Sequence, residues 1–197
     1  MFVTGGDSAG GVSRVIYSAS DLAAAARCEY ALLRVFDAKL GRGAKLDVEV
    51  DDMLARTAEL GAEHEKRILA ELKTRHGAGV IEIPQAAYSE AAITRAAQAT
   101  AGAFARRPAV VYQAAMFDGR FVGFADFVVR DGDEPDAPYR VLDTKLARHA
   151  KVTALLQIAA YADALGAAGV PVAPTAGLVL GNKEVVDYPD VTVWYLI

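Results

Sequence analysis

The stretch Ala109–Leu146, AVVYQAAMFDGRFVGFADFVVRDGDEPDAPYRVLDTKL, decides the fold. Ala109–Phe117 and Arg120–Val129 are rich in β-branched and aromatic residues, and Asp118-Gly119 between them is a hairpin signal. Asp131–Asp136 is an acidic turn, and Tyr139–Leu146 reads as a third strand. Period two puts Val122, Phe124, Asp126 and Val128 on one face of the second strand. It puts Tyr139, Val141, Asp143 and Lys145 on one face of the third. Two carboxylates and an ammonium thus stand in rows that otherwise look buried.

Burying an unpaired charge is costly, so such groups are paired or bind a metal. One reading is a structural ion pair between Asp143 and Lys145. The other is a hard-cation site, in which Asp126 and Asp143 offer oxygens to Mg²⁺ or Mn²⁺ and Lys145 faces a water or a phosphate. Adjacent strands lie about 4.8 Å apart, which lets both carboxylates reach one ion.

Working outward, Ser18-Ala19-Ser20-Asp21 supplies N-cap residues for a helix over Leu22–Leu40, with Leu22, Ala26, Tyr30 and Leu33 on one face. Cys28 on this Ala-rich helix is expected to be buried. Asp51–His76 reads as a long helix, because Leu54, Gly61, Ile68 and Leu72 form a stripe. Gly77-Ala78-Gly79 ends it. His64, four residues before Ile68, faces the stripe, the ordinary place of a satisfied core histidine. Glu63 and Glu65, beside Lys66 and Arg67, read as solvated helix charges.

A short strand follows over Val80–Pro84, then an Ala-rich helix over Glu90–Arg106. Beyond the third strand, a helix over Ala150–Gly166 carries Gln157 and Tyr161 four residues apart on one face. They are either a core-edge pair or polar groups presented beside Asp143 and Lys145. The basic segment Arg148-His149-Ala150-Lys151 is either a solvated loop or a phosphate-facing patch. A strand over Thr175–Leu180 and two short apolar runs, Val185–Tyr188 and Val191–Ile197, close the chain. This order predicts an α/β fold with a mixed central sheet flanked by helices.

Composition bounds the function. The chain has 197 residues, 53% hydrophobic and 23% charged, enough to bury a core and far from a disordered composition. A single cysteine excludes a disulfide framework and a Cys-based zinc finger. A net charge of −4 argues against coating nucleic acid by bulk charge, but not against a local site. No apolar run reaches the ~18–20 residues of a membrane span. Residues 1–15 read as a flexible lead-in without a secretory pattern, so no membrane and a cytoplasmic location are expected. Gly5-Gly6 and Gly10-Gly11 do not make a phosphate loop, and no Gly-x-Ser-x-Gly elbow is present. The final apolar run suits a domain, 16–197, cut from a longer protein.

These residues together resemble the RecB-like nuclease family of the PD-(D/E)xK superfamily. Tyr17–Leu22 with Cys28 resembles the family's opening helix, and Gly61-Ala62-Glu63-His64-Glu65 its helical histidine motif. Gly123-Phe124-Ala125-Asp126 resembles its first metal-binding aspartate, Val141-Leu142-Asp143-Thr144-Lys145 its Asp-x-Lys signature, and Gln157–Tyr161 its Gln-x-x-x-Tyr motif. The resemblance implies a restriction-endonuclease-like fold. It implies Mg²⁺ or Mn²⁺ bound by His64, Asp126, Asp143 and the Leu142 carbonyl. Asp126, Asp143 and Lys145 would be catalytic, with Lys145 orienting the attacking water and offsetting phosphate charge. Gln157, Tyr161, Arg148 and Lys151 would meet substrate. The implied reaction is hydrolysis of DNA, with 5′-phosphate and 3′-hydroxyl products. An exonuclease on single-stranded ends in DNA repair or recombination, beside a helicase domain in cis, fits these relatives. The turn before the histidine departs from the family pattern, being Gly-x-x-His rather than Gly-x-x-x-His. Several relatives hold an iron–sulfur cluster. Cys28 matches the early position but no late cysteines follow, so this chain alone forms no cluster. A non-catalytic nucleic-acid-binding or scaffold module of the same fold is the main alternative. A small-molecule enzyme on an α/β scaffold is a second, without a nucleotide loop or catalytic triad to support it.

Overall fold

The computed structural model describes residues 2–4, 14–44 and 52–191. The chain order is β1 (Phe2–Thr4), β2 (Arg14–Ser18), α1 (Ala19–Arg27), α2 (Glu29–Lys39), α3 (Asp52–His76), β3 (Val80–Glu82) and α4 (Glu90–Phe104). Then come β4 (Val110–Phe117), β5 (Phe121–Arg130), β6 (Tyr139–Lys145), α5 (Val152–Ala167), β7 (Ala176–Leu180) and β8 (Val185–Tyr188). The architecture is α/β, with a mixed sheet flanked by helices.

The sheet runs β1-β2-β5-β6-β7-β8, and β4 lies on the other edge of β5 with β3 beyond it. β4 and β5 form the hairpin that Asp118-Gly119 predicts, with Gly119 at φ 92°. Asp118 Oδ1 accepts from the Phe121 amide at 2.7 Å and closes the turn. β6 and β7 are parallel, as a crossover through α5 requires. α5 is apolar nearly all round, burying Leu155, Ile158, Tyr161 and Leu165. Such a helix must be covered on more than one side. α1 packs along it, and β4, β5, β6 and β7 lie beneath.

Two apolar layers separate the helices. α4 and α5 cover Val111, Ala114, Met116, Ala125, Tyr139 and Val141. α3 lays Ile68, Leu69 and Leu72 over Val110, Phe127, Leu142 and Val179. Each such side chain contributes about 1.5–3 kcal/mol by leaving water.

Several expectations are corrected. The predicted helix over Leu22–Leu40 is two helices, because Cys28 is extended at φ −164° and its Sγ accepts the Ala31 amide as the N-cap of α2. Cys28 is therefore exposed, and so are Tyr30 and Leu33, which turn away from the core. Residues 2–4 and 14–15 of the expected lead-in are paired strands, since β2 is held between β1 and β5. The α3 stripe is buried only from His64 onward, and Leu54 is 67% exposed. Asp51, the two glycine pairs near the N-terminus and the run 192–197 lie outside the described residues. Among the described residues, no helix is long and apolar enough to cross a membrane.

Candidate metal and phosphate site

The site forms where two strands part. β5 and β6 pair antiparallel from Arg130↔Tyr139 to Phe127↔Leu142, and their ladder stops there. β6 continues along β7 through Asp143↔Leu178 and Lys145↔Leu180, while β5 meets β2 at Phe121 and Val122. Asp126 stands at the fork. Its Oδ2 accepts from the Thr144 amide at 2.8 Å and from the Thr144 hydroxyl at 2.7 Å. The carboxylate thus satisfies the donor that the diverging ladder leaves behind.

Asp143 is 3% exposed. Its Oδ2 accepts no hydrogen bond and touches the Lys145 ammonium as an ion pair without hydrogen-bond geometry. Burial pushes this carboxyl well above the ordinary carboxylate range, the charge of Asp126 pushes it further, and Lys145 pulls the other way. Lys145 is moved upward: burial lowers it, but Asp143, Asp126 and Glu65 together outweigh burial. Lys145 is therefore an ammonium at neutral pH, suited to holding negative charge rather than removing a proton.

Glu65, read from the sequence as a solvated helix charge, and Gln113, which that reading did not single out, meet beside the fork. Glu65 is half-buried, and burial raises its carboxyl, with Asp126 adding to the rise. Tyr112 and Gln113 of β4 hydrogen-bond it, Gln113 through its side-chain amide. Lys145 is close enough to oppose the rise. Strict alternation sends Gln113 to the α4/α5 face, since Val110 and Tyr112 face α3. Its backbone instead sits at φ 54°, in the left-handed region. A non-glycine residue there costs ~1–2 kcal/mol. The ladder skips the 113–126 pair while Tyr112↔Phe127 and Ala114↔Ala125 hold on either side. The turn delivers the Gln113 amide to α3. It also breaks the alternation expected for β5: Ala125 and Val128, three apart, both reach the α4/α5 layer while Phe127 faces α3. One signal for Glu65 was available: it lies four residues before Leu69, on the same stripe as His64.

Tyr161 packs against Gly123 of β5, where a Cβ would lie 2.9 Å from its ring. Its hydroxyl is pushed up by burial and then by the charges of Asp143 and Asp126. Gln157, one turn before it, is half-buried. Leu142 is fixed in the ladder between Phe127 and Gly177, with its side chain in the α3 layer. Only its backbone can therefore serve a ligand. His64 is 2% exposed, and its Nε2 meets the Val179 carbonyl at 3.3 Å. Arg148, His149 and Lys151 are exposed on the loop between β6 and α5. That loop is seated against the turn after β7, where a Cβ on Gly181 would lie 2.5 Å from the Leu146 carbonyl oxygen.

Among the described residues, no three His, Cys, Asp or Glu side chains form a ready-made metal cage. The donor set nevertheless fits a hard cation held lightly. Mg²⁺ commonly takes one or two carboxylates and leaves its other positions to water and phosphate. Asp126 and Asp143 act on one another closely enough to shift the latter's titration, and the buried Asp143 Oδ2 has the Lys145 ammonium as an ion-pair partner without hydrogen-bond geometry. Two facing carboxylates gain most from a cation. No family model matches the chain, and no curated protein sequence matches it.

Proposed function

We propose that the chain is a metal-dependent phosphodiesterase, a deoxyribonuclease of the RecB-like branch of the restriction-endonuclease-like fold. The observation that carries this reading is the meeting of Asp126, Asp143 and Lys145 at the β5/β6 fork, with Asp143 buried and paired to the Lys145 ammonium beside a second acid. A structural ion pair would be served by one carboxylate. A second, adjacent acid raises the energy of that pair, and an arrangement that costs stability marks a binding function.

Asp126 and Asp143 would hold Mg²⁺ or Mn²⁺, which supplies a polarised phosphate and an acidified water. Thr144 fixes the Asp126 carboxylate through two hydrogen bonds, both to Oδ2. Lys145 offers its ammonium to the developing charge on a scissile phosphate. Tyr161 offers a protonated hydroxyl under the charge of both acids. Arg148 and Lys151, exposed on the loop that follows Lys145, would meet the phosphates on either side. Single-stranded ends, and a helicase in cis, remain the substrate and partner that the sequence resemblance favours.

The test is cleavage of end-labelled single-stranded DNA with Mn²⁺ by the parent chain, Asp143→Ala and Lys145→Ala. Loss in both variants supports the nuclease. Activity that survives in both overturns it. Binding without cleavage by the parent favours the non-catalytic module.

A further inference from the structure

We propose that the cleft between α4 and α5 is a binding site for a small molecule with an aromatic or aliphatic body and one cationic group. The cleft holds about 820 Å³. Cavities that take drug-sized ligands run from about 300 to 1,000 Å³. The site is separate from the fork and goes beyond the nuclease reading. Tyr139, at the start of β6, lies on its wall, while Asp143 and Lys145 stand at the strand's other end.

The sequence explains why the cleft is open. α4 turns Ala97 and Ala101 to it, and α5 turns Ala160 and Ala164, each pair one helical turn apart. A methyl group does not reach across to the facing helix. Each helix packs instead on the sheet, α4 on β4 and α5 on β4 to β7. Met116, Phe117 and Phe121 add apolar surface from the β4/β5 hairpin. Larger apolar side chains at the four alanines would fill the space and bury more surface, which is how interiors ordinarily pack.

The polar groups of the wall decide the charge of the ligand. Thr94 and Thr100 donate their hydroxyls to the Glu90 and Ala96 carbonyls of their own helix. Arg107 gives its N–H groups to the Pro135 and Ala137 carbonyls and lies over the Tyr139 ring. Asp118 and Asp163 remain. Both are exposed, and neither is ion-paired to a basic residue among the described residues. Asp118 caps its turn through Oδ1. An apolar cleft with two such acids on its wall favours an apolar body that ends in an ammonium or guanidinium, and disfavours an anion.

The experiment is an NMR titration of the purified chain with three probes of one shape, 1-naphthylmethylamine, 1-naphthalenemethanol and 1-naphthoate, alongside thermal melting and sedimentation. The amine should bind about threefold tighter than the alcohol, and the alcohol tighter than the carboxylate. Ala101→Trp, at an exposed position, should weaken the amine about tenfold or more, because the indole takes the space, without lowering the melting temperature. Ala164→Leu, on the facing helix, should do the same, so a folding defect in one variant leaves the other to decide. Asp118→Asn combined with Asp163→Asn keeps the turn-capping oxygen and should bring the amine down to the affinity of the alcohol. If the amine binds no better than the carboxylate, or if both filled variants bind like the parent, the proposal falls. A chain that sediments as a dimer, and as a monomer with Ala101→Trp, gives the cleft to a second copy and also overturns it. A parent chain that binds none of the three probes overturns it whatever the cleavage assay shows.

Discussion

The two ends of β6 carry buried polar groups in opposite styles. At its start, Tyr139 is fully buried, and its hydroxyl donates to the Pro108 carbonyl at 2.9 Å. Arg107 lies over that ring at 5.2 Å and gives its own N–H groups to Pro135 and Ala137 carbonyls. At its end, Asp143 is almost as buried but crowds a second carboxylate and meets the Lys145 ammonium in an ion pair without hydrogen-bond geometry. The first end is what a chain does to stay folded. The second gives up stability, and seven residues of one strand hold both.

Four substitutions probe this contrast. Tyr139→Ala should have the largest effect, destabilising the chain by about 3–5 kcal/mol in denaturant melts. Lys145→Ala should reverse the pattern. Cleavage should fall about 10²–10³-fold, while the melting temperature moves less than in Tyr139→Ala. Equal stability losses at both ends would erase the distinction.

Asp143→Asn should sharpen it through pH. The carboxyl is raised in the folded chain above its ordinary value of 3.8. Its contribution to stability is complete below that value and is lost as pH rises through the raised one. Asparagine does not titrate. In chelator-treated buffer the variant should therefore gain on the parent between pH 4 and pH 8, by about 2–4 °C or more. A difference that stays flat over this window would mean that Asp143 is not strained by its surroundings. Tyr139→Phe should be the mildest change, costing about 1 kcal/mol for the lost hydrogen bond and leaving cleavage intact.

Much of this was legible in the sequence, for identifiable reasons. The hairpin at Asp118-Gly119 is a local signal, and local chemistry sets it. Asp126, Asp143 and Lys145 were visible because a charge in an apolar strand row is costly wherever the strand goes. Glu65 was not, because its flanking Lys66 and Arg67 gave it a satisfactory solvated explanation, and only the tertiary placement of β4 removes that explanation. Gln113 could not be read at all. Its left-handed backbone falls where the β4/β5 ladder skips a pair, a feature of strand pairing that no local residue pattern announces. Cys28 misled because a small apolar residue among alanines looks like core, whereas here its sulfur caps the next helix.

Gly181 carries a further consequence. It is exposed, yet the space where a side chain would begin is filled by the Leu146 carbonyl. A saturation library at this surface position should tolerate almost no replacement. The turn after β7 and the segment bearing Arg148 are thereby wedded, so whatever shifts one reshapes the footprint offered to a polyanion by the other.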